Sequence, residues 1–242
     1  KLSPPESPTA LVFDSTSKWR VYYENDRWLL WVDASDGDPA VLISATDDFL
    51  AGEISFSEIS WEIGNEGVIL AMPLLGQFLT SGSLANNRGV TMHASGAISD
   101  GTGWLFTGTD GVGKSTMADL WSRYAGADII ATDRAIIRAN QGAIWMYSSP
   151  WRMDINSVVG ALPIDHILVL RQGPKNELRR LAPIDAAAAL IKRSFPPAWF
   201  PKGMAYTVNF LGDISATMPI YEYTFVPDKS AVEFLKRWHS SP

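Results

Sequence analysis

Apolar and polar residues alternate from Lys18 to Glu24, placing Trp19, Val21 and Tyr23 on one face. They alternate again from Arg27 to Asp33 through Trp28, Leu30 and Val32. A period of two marks half-buried strands. Asn25-Asp26 between the runs suits a tight hairpin turn. Pro39 to Ser44 and Glu53 to Phe56 are weaker strands of the same kind. Residues 10 to about 65 therefore read as a small antiparallel β lobe rich in tryptophan, whose indoles serve sheet packing first and ligand binding second. Residues 68 to 80 are apolar and predict a helix around Pro73 to Thr80. Gly82 to Gly89 reads as a turn-rich connection.

From Val90 the pattern changes. Val90 to Ile98 and Gly103 to Thr107 predict strands, and Gly108 to Gly113 is glycine-rich. Ser115 to Ala125 predicts a helix, with Met117, Leu120, Trp121 and Tyr124 at i, i+3, i+4 and i+7. Asp128 to Ala131 and Ile164 to Leu170 read as short buried strands. Pro183 to Arg193 predicts an alanine-rich helix with proline in its first turn. The last helix opens on Ser230-Ala-Val-Glu233, a capping box, and turns Ala231, Phe234, Leu235 and Trp238 to one side. No internal repeat or low-complexity tract is visible. The expected organisation is mixed α/β: residues 1–88 as an N-terminal β-rich lobe with a linking helix, and residues 89–242 as a second domain.

Composition narrows the function. Apolar residues make up 46% and charged residues 19% of the 242, the balance of a chain that buries a core. A net charge of -6 and a pI of about 5.1 argue against nucleic acid or an anionic membrane as partner. With no cysteine, disulfides, thiolate catalysis and Cys-based zinc sites are excluded. Only His93, His166 and His239 are histidines, and no short spacing pairs them, so a His-rich metal site is not expected. No apolar run reaches the roughly 20 residues that span a bilayer. Lys1 to Thr9 carries three prolines and no signal-peptide core. The expectation is a soluble cytoplasmic protein.

Gly108-Thr109-Asp110-Gly111-Val112-Gly113-Lys114-Ser115 fits G-x-x-x-x-G-K-[ST]. Average residue usage gives a chance match in a chain this long odds of roughly one in a hundred. The context agrees, since Trp104-Leu105-Phe106 leads in as a strand and an amphipathic helix leads out. Glycines let the backbone close on a phosphate. Consecutive N–H groups then form an anion nest, and the helix adds its positive end. Lys114 would reach the β- and γ-phosphates, Ser115 would ligate Mg²⁺, and Thr116 offers a second hydroxyl near the α-phosphate. The implied ligands are ATP and Mg²⁺. Such sites also need an acid at the end of a buried strand, and Asp133 ends Ile129-Ile130-Ala131-Thr132-Asp133. Asp110 is unusual, because a carboxylate beside phosphates is repelled. It either faces outward or acts near the γ-phosphate.

The stretch His93 to Arg134 resembles the P-loop core of HPr serine kinase/phosphorylase and its looser relatives. The resemblance runs through Met92-His93-Ala-Ser95, Gly101-Thr-Gly-Trp-Leu-Phe-Thr-Gly108, the glycine loop, and Ile-Ile-Ala-Thr132-Asp133-Arg134. More diffusely, Ile167 to Arg171, Leu181 to Ala186 and Val226 to Leu235 are similar to that group's later strands and helices. The resemblance implies a phosphoenolpyruvate-carboxykinase-like P-loop core over residues 89–242. It makes His93 an active-site histidine near the phosphates and Asp133 an acid for Mg²⁺ and catalysis. The implied reaction transfers a γ-phosphoryl group to a serine-type hydroxyl of a peptide, protein or small molecule. Homo-oligomers are common in that group.

The family's first aspartate of a pair is Thr132 here. Either Asp133 serves both roles, Asp110 or His93 substitutes, or the site is attenuated. The N-terminal lobe and the absence of the family's downstream signature stretch point away from HPr as acceptor. On residues alone, His93 could equally be a satisfied strand histidine. Arg134 and Arg152 are candidates to neutralise transition-state charge, Arg152 from the rigid turn Ser149-Pro150-Trp151-Arg152. His166 and His239 read as structural or exposed, and Arg179-Arg180 as a solvated face. Phe195 to Pro201 reads as a stiff aromatic segment that packs over the core or lids the site. A kinase is the leading expectation. A nucleotide-binding regulatory or assembly protein is the alternative. An ATP-hydrolysing motor is disfavoured by the lack of an Asp-Glu pair after a buried strand.

Overall fold

The computed structural model describes residues 10–16, 19–33, 39–56, 66–149, 158 and 160–241. The fold is mixed α/β, in two compact units. One holds the residues up to Asn87 together with Pro197–Met204. The other holds Arg88–Pro196 and Ala205 onward.

The first unit is built on a five-stranded antiparallel meander in sequence order. Its strands are β1 (Leu11–Asp14), β2 (Trp19–Glu24), β3 (Arg27–Asp33), β4 (Pro39–Thr46) and β5 (Gly52–Phe56). Val21, Leu30 and Ile43 stand in register across β2, β3 and β4 and are buried, as the period of two requires. Asn25 and Asp26 both adopt positive φ, 53° and 56°, the conformation of a two-residue hairpin turn matched to strand twist. The tryptophans pack. Trp28 lies against Phe49 and Phe200, and Trp19 meets Trp199 edge-on. Trp199 and Phe200 are buried, so this part of the Phe195 to Pro201 segment belongs to a core.

Helix α1 (Glu66–Ala85) is longer than the pattern predicted and carries Pro73 within it. It runs through the stretch expected to turn at Gly82. A Cβ at Gly82 would lie 2.4 Å from the Phe49 ring, so this glycine marks close packing and not a chain reversal.

The second unit is a nine-stranded sheet in the order β11-β10-β9-β6-β7-β12-β14-β13, with β8 beside β9 on the same partner, β6. The strands are β6 (Val90–Ser99), β7 (Thr102–Thr107), β8 (Asp128–Ala131), β9 (Arg134–Asn140), β10 (Ala143–Ser148), β11 (Ala161–Pro163), β12 (His166–Gln172), β13 (Glu177–Arg180) and β14 (Ile220–Phe225). β7, β12 and β14 are parallel neighbours and the remaining pairings are antiparallel.

Alternation along β7 sends Leu105 into one core and Trp104 and Phe106 into the other. Helices α2 (Lys114–Ala125) and α5 (Lys229–His239) fill the Trp104 side. Helices α3 (Pro183–Ile191) and α4 (Pro201–Thr217) fill the Leu105 side. Trp121 is fully buried, its ring 4.7 Å from Trp104, a site where truncation to alanine costs about 3–5 kcal/mol.

Some boundaries differ from expectation for a clear physical reason. Helix α3 stops at Ile191 because the chain then turns to bridge Met92 through Ser194. β12 begins at His166, since Ile164 and Asp165 bond outside the strand, to Ile144 and Gly103. Helix α5 is capped by Asp228, whose carboxylate accepts from Ser230 N–H at 2.8 Å. Glu233 reaches Lys229 at 2.8 Å instead of closing a capping box.

Candidate functional site

β7 ends at the buried Thr107, whose hydroxyl donates to the His93 carbonyl at 2.9 Å. The chain then enters the glycine loop. A Cβ at Gly108 would meet Val112 Cγ1 at 2.6 Å and the Leu170 carbonyl at 3.3 Å. Gly113 stands at φ +100°, and a Cβ there would sit 3.0 Å from the Phe225 ring. Only glycine meets both conditions cheaply. Gln172 Nε2 donates to the Val112 carbonyl at 3.2 Å and braces the loop from β12.

Helix α2 starts at Lys114 with glycine as its N-cap, so no side chain covers its first N–H groups. Ser115 and Thr116 are exposed on the first turn. Lys114 is buried: its ammonium donates to the Gly108 and Thr109 carbonyls at 3.2 and 3.0 Å. Burial lowers its pKa, and Arg193 pushes the same way, while Asp110 and Asp133 oppose the shift. The buried Ser95 hydroxyl donates to the Lys114 carbonyl at 2.9 Å, tying the helix start to β6.

β6 also carries His93. Its ring joins two carboxylates: Nε2 lies 2.9 Å from Asp133 Oδ1, and Nδ1 lies 3.2 Å from Asp110 Oδ1. Asp133 reaches it because β8 and β9 pair in succession along β6, and Thr132-Asp133 is the break between them. At that break Ala94 N–H donates to the Asp133 carbonyl at 3.0 Å. Arg134 Nε lies 3.7 Å from Asp133 Oδ2, and its guanidinium stacks 4.7 Å over Phe195. The Asp110 side chain is 91% exposed, that of His93 22%. Asp110 thus faces solvent while its carboxylate contacts the His93 ring.

The structure therefore gathers His93, Asp110 and Asp133 and sets Lys114 within their charge field. Arg152 lies outside the described residues. Thr132 turns elsewhere, lining a cavity of about 220 Å³ with Ala118, Asp119, Ser122 and Asp128. Among the described residues no group of three or more His, Asp or Glu is disposed to hold a metal ion. His166 and His239, which no sequence spacing pairs, meet at 2.9 Å. Gln172, from β12, and Arg193, from the turn after α3, join the site from elements distant in sequence, and no local motif marks them.

The arrangement is a glycine loop running into a helix start with no side-chain cap, the Lys114 ammonium bonded to loop carbonyls, and a histidine-held carboxylate near that lysine. Its donor chemistry suits a phosphate, and its carboxylate can take a proton. No described helix is long and apolar enough to cross a membrane.

No protein-family profile matches this chain, and no curated protein matches it. Among solved structures, the chain is similar to the HPr(Ser) kinase/phosphatase from Coxiella burnetii. The likeness has a TM-score of 0.38 at 15% identity and covers 62% of this chain and 95% of that chain.

Proposed function

We propose that this protein is an ATP- and Mg²⁺-dependent phosphotransferase that moves the terminal phosphoryl group to a serine-type hydroxyl of a peptide, protein or small molecule. In this reading the second unit is a P-loop core of the phosphoenolpyruvate-carboxykinase type, and the first unit is an accessory lobe. The observation that carries the reading is a buried lysine inside a glycine loop, in charge range of a carboxylate that His93 holds at 2.9 Å.

The roles follow from the positions. Backbone N–H groups from Gly108 to Gly113, with Thr109, Asp110 and Val112 between the glycines, and those opening α2 cradle the phosphates. Lys114 neutralises charge on the terminal ones. Thr116 offers a hydroxyl to the phosphate nearest the nucleoside. The Ser115 hydroxyl and the Asp133 carboxylate would hold Mg²⁺. That ion keeps several waters and takes few protein oxygens beside substrate phosphates, so it needs no preformed acid cluster. It would supply charge neutralisation. Asp133 accepts the proton of the acceptor hydroxyl as its oxygen bonds to phosphorus, and the bond to the departing ADP oxygen breaks. His93 orients Asp133 through Nε2 and contacts the Asp110 carboxylate through Nδ1. Arg152 is proposed to border the acceptor.

The test is direct. Purified protein with ATP, Mg²⁺ and a panel of serine-bearing peptides and small alcohols should yield phosphorylated product. Tight ATP binding with no transfer to any acceptor would sink the enzyme and leave a binding protein.

That second reading, a nucleotide-binding regulatory or assembly protein, rests on Thr132, which lacks a carboxylate and lines a different cavity. Thr132→Asp separates the two: a large gain in transfer would mean that the native site is attenuated.

A further inference from the structure

The cavity of about 220 Å³ lies in the groove between helix α2 and strand β8. Ala118, Asp119 and Ser122 line it from the helix. Asp128 and Ile129 line it from the strand, and Thr132 just past the strand's end. Both walls lead to the site. Ser115, Ala118, Asp119 and Ser122 fall at i, i+3, i+4 and i+7 on one face of α2, so Asp119 stands one turn, about 5–6 Å, beyond Ser115. β8 runs along β6 from Ile98 to Gly96, and the chain continues through Thr132 to Asp133, which His93 holds. One end of the groove is therefore bounded by the neighbours of Ser115 and Asp133.

The lining is polar and of one sign. Asp119, Ser122 and Asp128 are exposed and Thr132 is half-buried. None of these four side chains makes a hydrogen bond or an ion pair with a described residue. Among the described residues that line the cavity there is no lysine, arginine or histidine to neutralise the two carboxylates. Such a groove offers acceptors and negative charge to whatever enters it, and repels phosphate. It is smaller than the roughly 300–1,000 Å³ of sites for drug-sized ligands. A basic side chain or a small amine fits it, and a whole nucleotide does not.

We propose that this groove binds the phosphoryl acceptor and selects one that carries a positive charge beside its hydroxyl. Asp119 and Asp128 take the ammonium or guanidinium group, Ser122 and Thr132 add hydroxyl contacts, and the acceptor hydroxyl lies at the Thr132 end toward Asp133. This rests on the phosphotransferase reading above and names its substrate class. The competing role is a solvated acidic face. A protein of net charge -6 attracts any basic peptide from a distance, but that pull is screened by salt and does not depend on which acid is removed.

The experiment uses three peptides that differ only in the residues flanking one serine: arginine, glutamine or glutamate. Ethanolamine and ethylene glycol serve as the matched small acceptors. Each is offered with saturating ATP and Mg²⁺ at about 0.15 M salt, where long-range attraction is damped. Wild-type protein should favour the arginine peptide over the glutamine peptide by about ten- to thirtyfold in kcat/KM. Asp119→Asn and Asp128→Asn should each cut that ratio by about five- to tenfold, chiefly through KM. Asp119→Lys should turn the preference toward the glutamate peptide. Glu177→Gln, which removes an exposed acid on β13, should leave the ratio as it is. A wild-type ratio near one, a ratio unmoved by both asparagine variants, or an equal fall in Glu177→Gln overturns the groove as a cation-selective acceptor site and leaves the phosphotransferase standing. ATP bound without transfer to any acceptor overturns both.

Discussion

His93 Nε2 lies 2.9 Å from Asp133 Oδ1, and this contact joins β6, the neighbour of the strand that enters the glycine loop, to the break between β8 and β9. It fixes the orientation of a carboxylate that is 42% exposed and would otherwise sample several rotamers. If Asp133 is the base, Asp133→Asn should lower phosphoryl transfer by about 10²- to 10⁴-fold and raise the Mg²⁺ requirement. Nucleotide affinity should change far less. His93→Gln should cost less than Asp133→Asn, because it loosens the base without removing it. Steady-state kinetics over a Mg²⁺ titration checks both, and an Asp133→Asn enzyme of normal rate would remove Asp133 from the mechanism.

Gly113→Ala tests the loop. At φ +100° a side chain costs about 1–2 kcal/mol in backbone strain, and the new Cβ would press on the Phe225 ring at 3.0 Å. Stability should fall by that much or slightly more, and nucleotide binding should fall further because the N–H groups lose their aim. Gly111→Ala, at φ +72° with open space around it, should carry only the backbone term. Denaturant melts and nucleotide titrations of the two variants would show whether the order holds.

Asp110 should act through charge. Its carboxylate sits in the glycine loop, where phosphate binding would meet repulsion. Asp110→Asn should tighten ATP by a few-fold at low ionic strength. The gain should shrink as salt rises, since the group is exposed and screened. Calorimetry at low and high salt measures both. A loss of affinity would mean that the carboxylate instead helps to place the metal.

The cap of helix α5 separates two local readings of one stretch. Asp228 accepts from Ser230 N–H, while Glu233 pairs with Lys229 on the surface. Asp228→Ala should lower the melting temperature by roughly 2–4 °C, and Glu233→Ala should lower it less. The reverse order would restore the capping box suggested by Ser230 and Glu233.

The parts of this protein readable in its sequence are those written locally. The hairpin at Asn25-Asp26, the strand into Gly108 and the helix after Gly113 each follow from a few adjacent residues. The hairpin between β9 and β10 is faint in the sequence, because its turn is Gln141-Gly142. Both residues have positive φ, yet the pair lacks the usual Asn-Gly or Asp-Gly signature. Helix α4 contains Gly203, a poor helix former. A Cβ there would sit 2.8 Å from Ala85, so the glycine is present for packing. The backbone bond between His93 and Arg193 depends on a chain crossing that no local pattern encodes.

The pairing of His166 with His239 yields a pH prediction away from the site. His166 packs against Trp104 and Trp238, with Asp165 beside it in sequence and His239 at 2.9 Å, itself 3.4 Å from the Thr102 hydroxyl. Burial first, and the charge of His239 second, lower the His166 pKa from 6.5 to about 4, and Asp165 opposes them only weakly. The unfolded chain therefore binds a proton near pH 6.5 that the folded chain refuses until about 4. The neutral ring contributes its full stability above the upper value, and that contribution is lost as pH falls through the window. Because the ring is partly in contact with water, the loss should be on the order of 1–2 kcal/mol and not the full shift. Melting temperatures across this range should fall for the wild type and stay flatter for His166→Phe, which keeps the stacking on Trp104 but cannot take the proton. Equal slopes for the two proteins would show that carboxylates elsewhere, and not this histidine pair, set the acid limit of the fold.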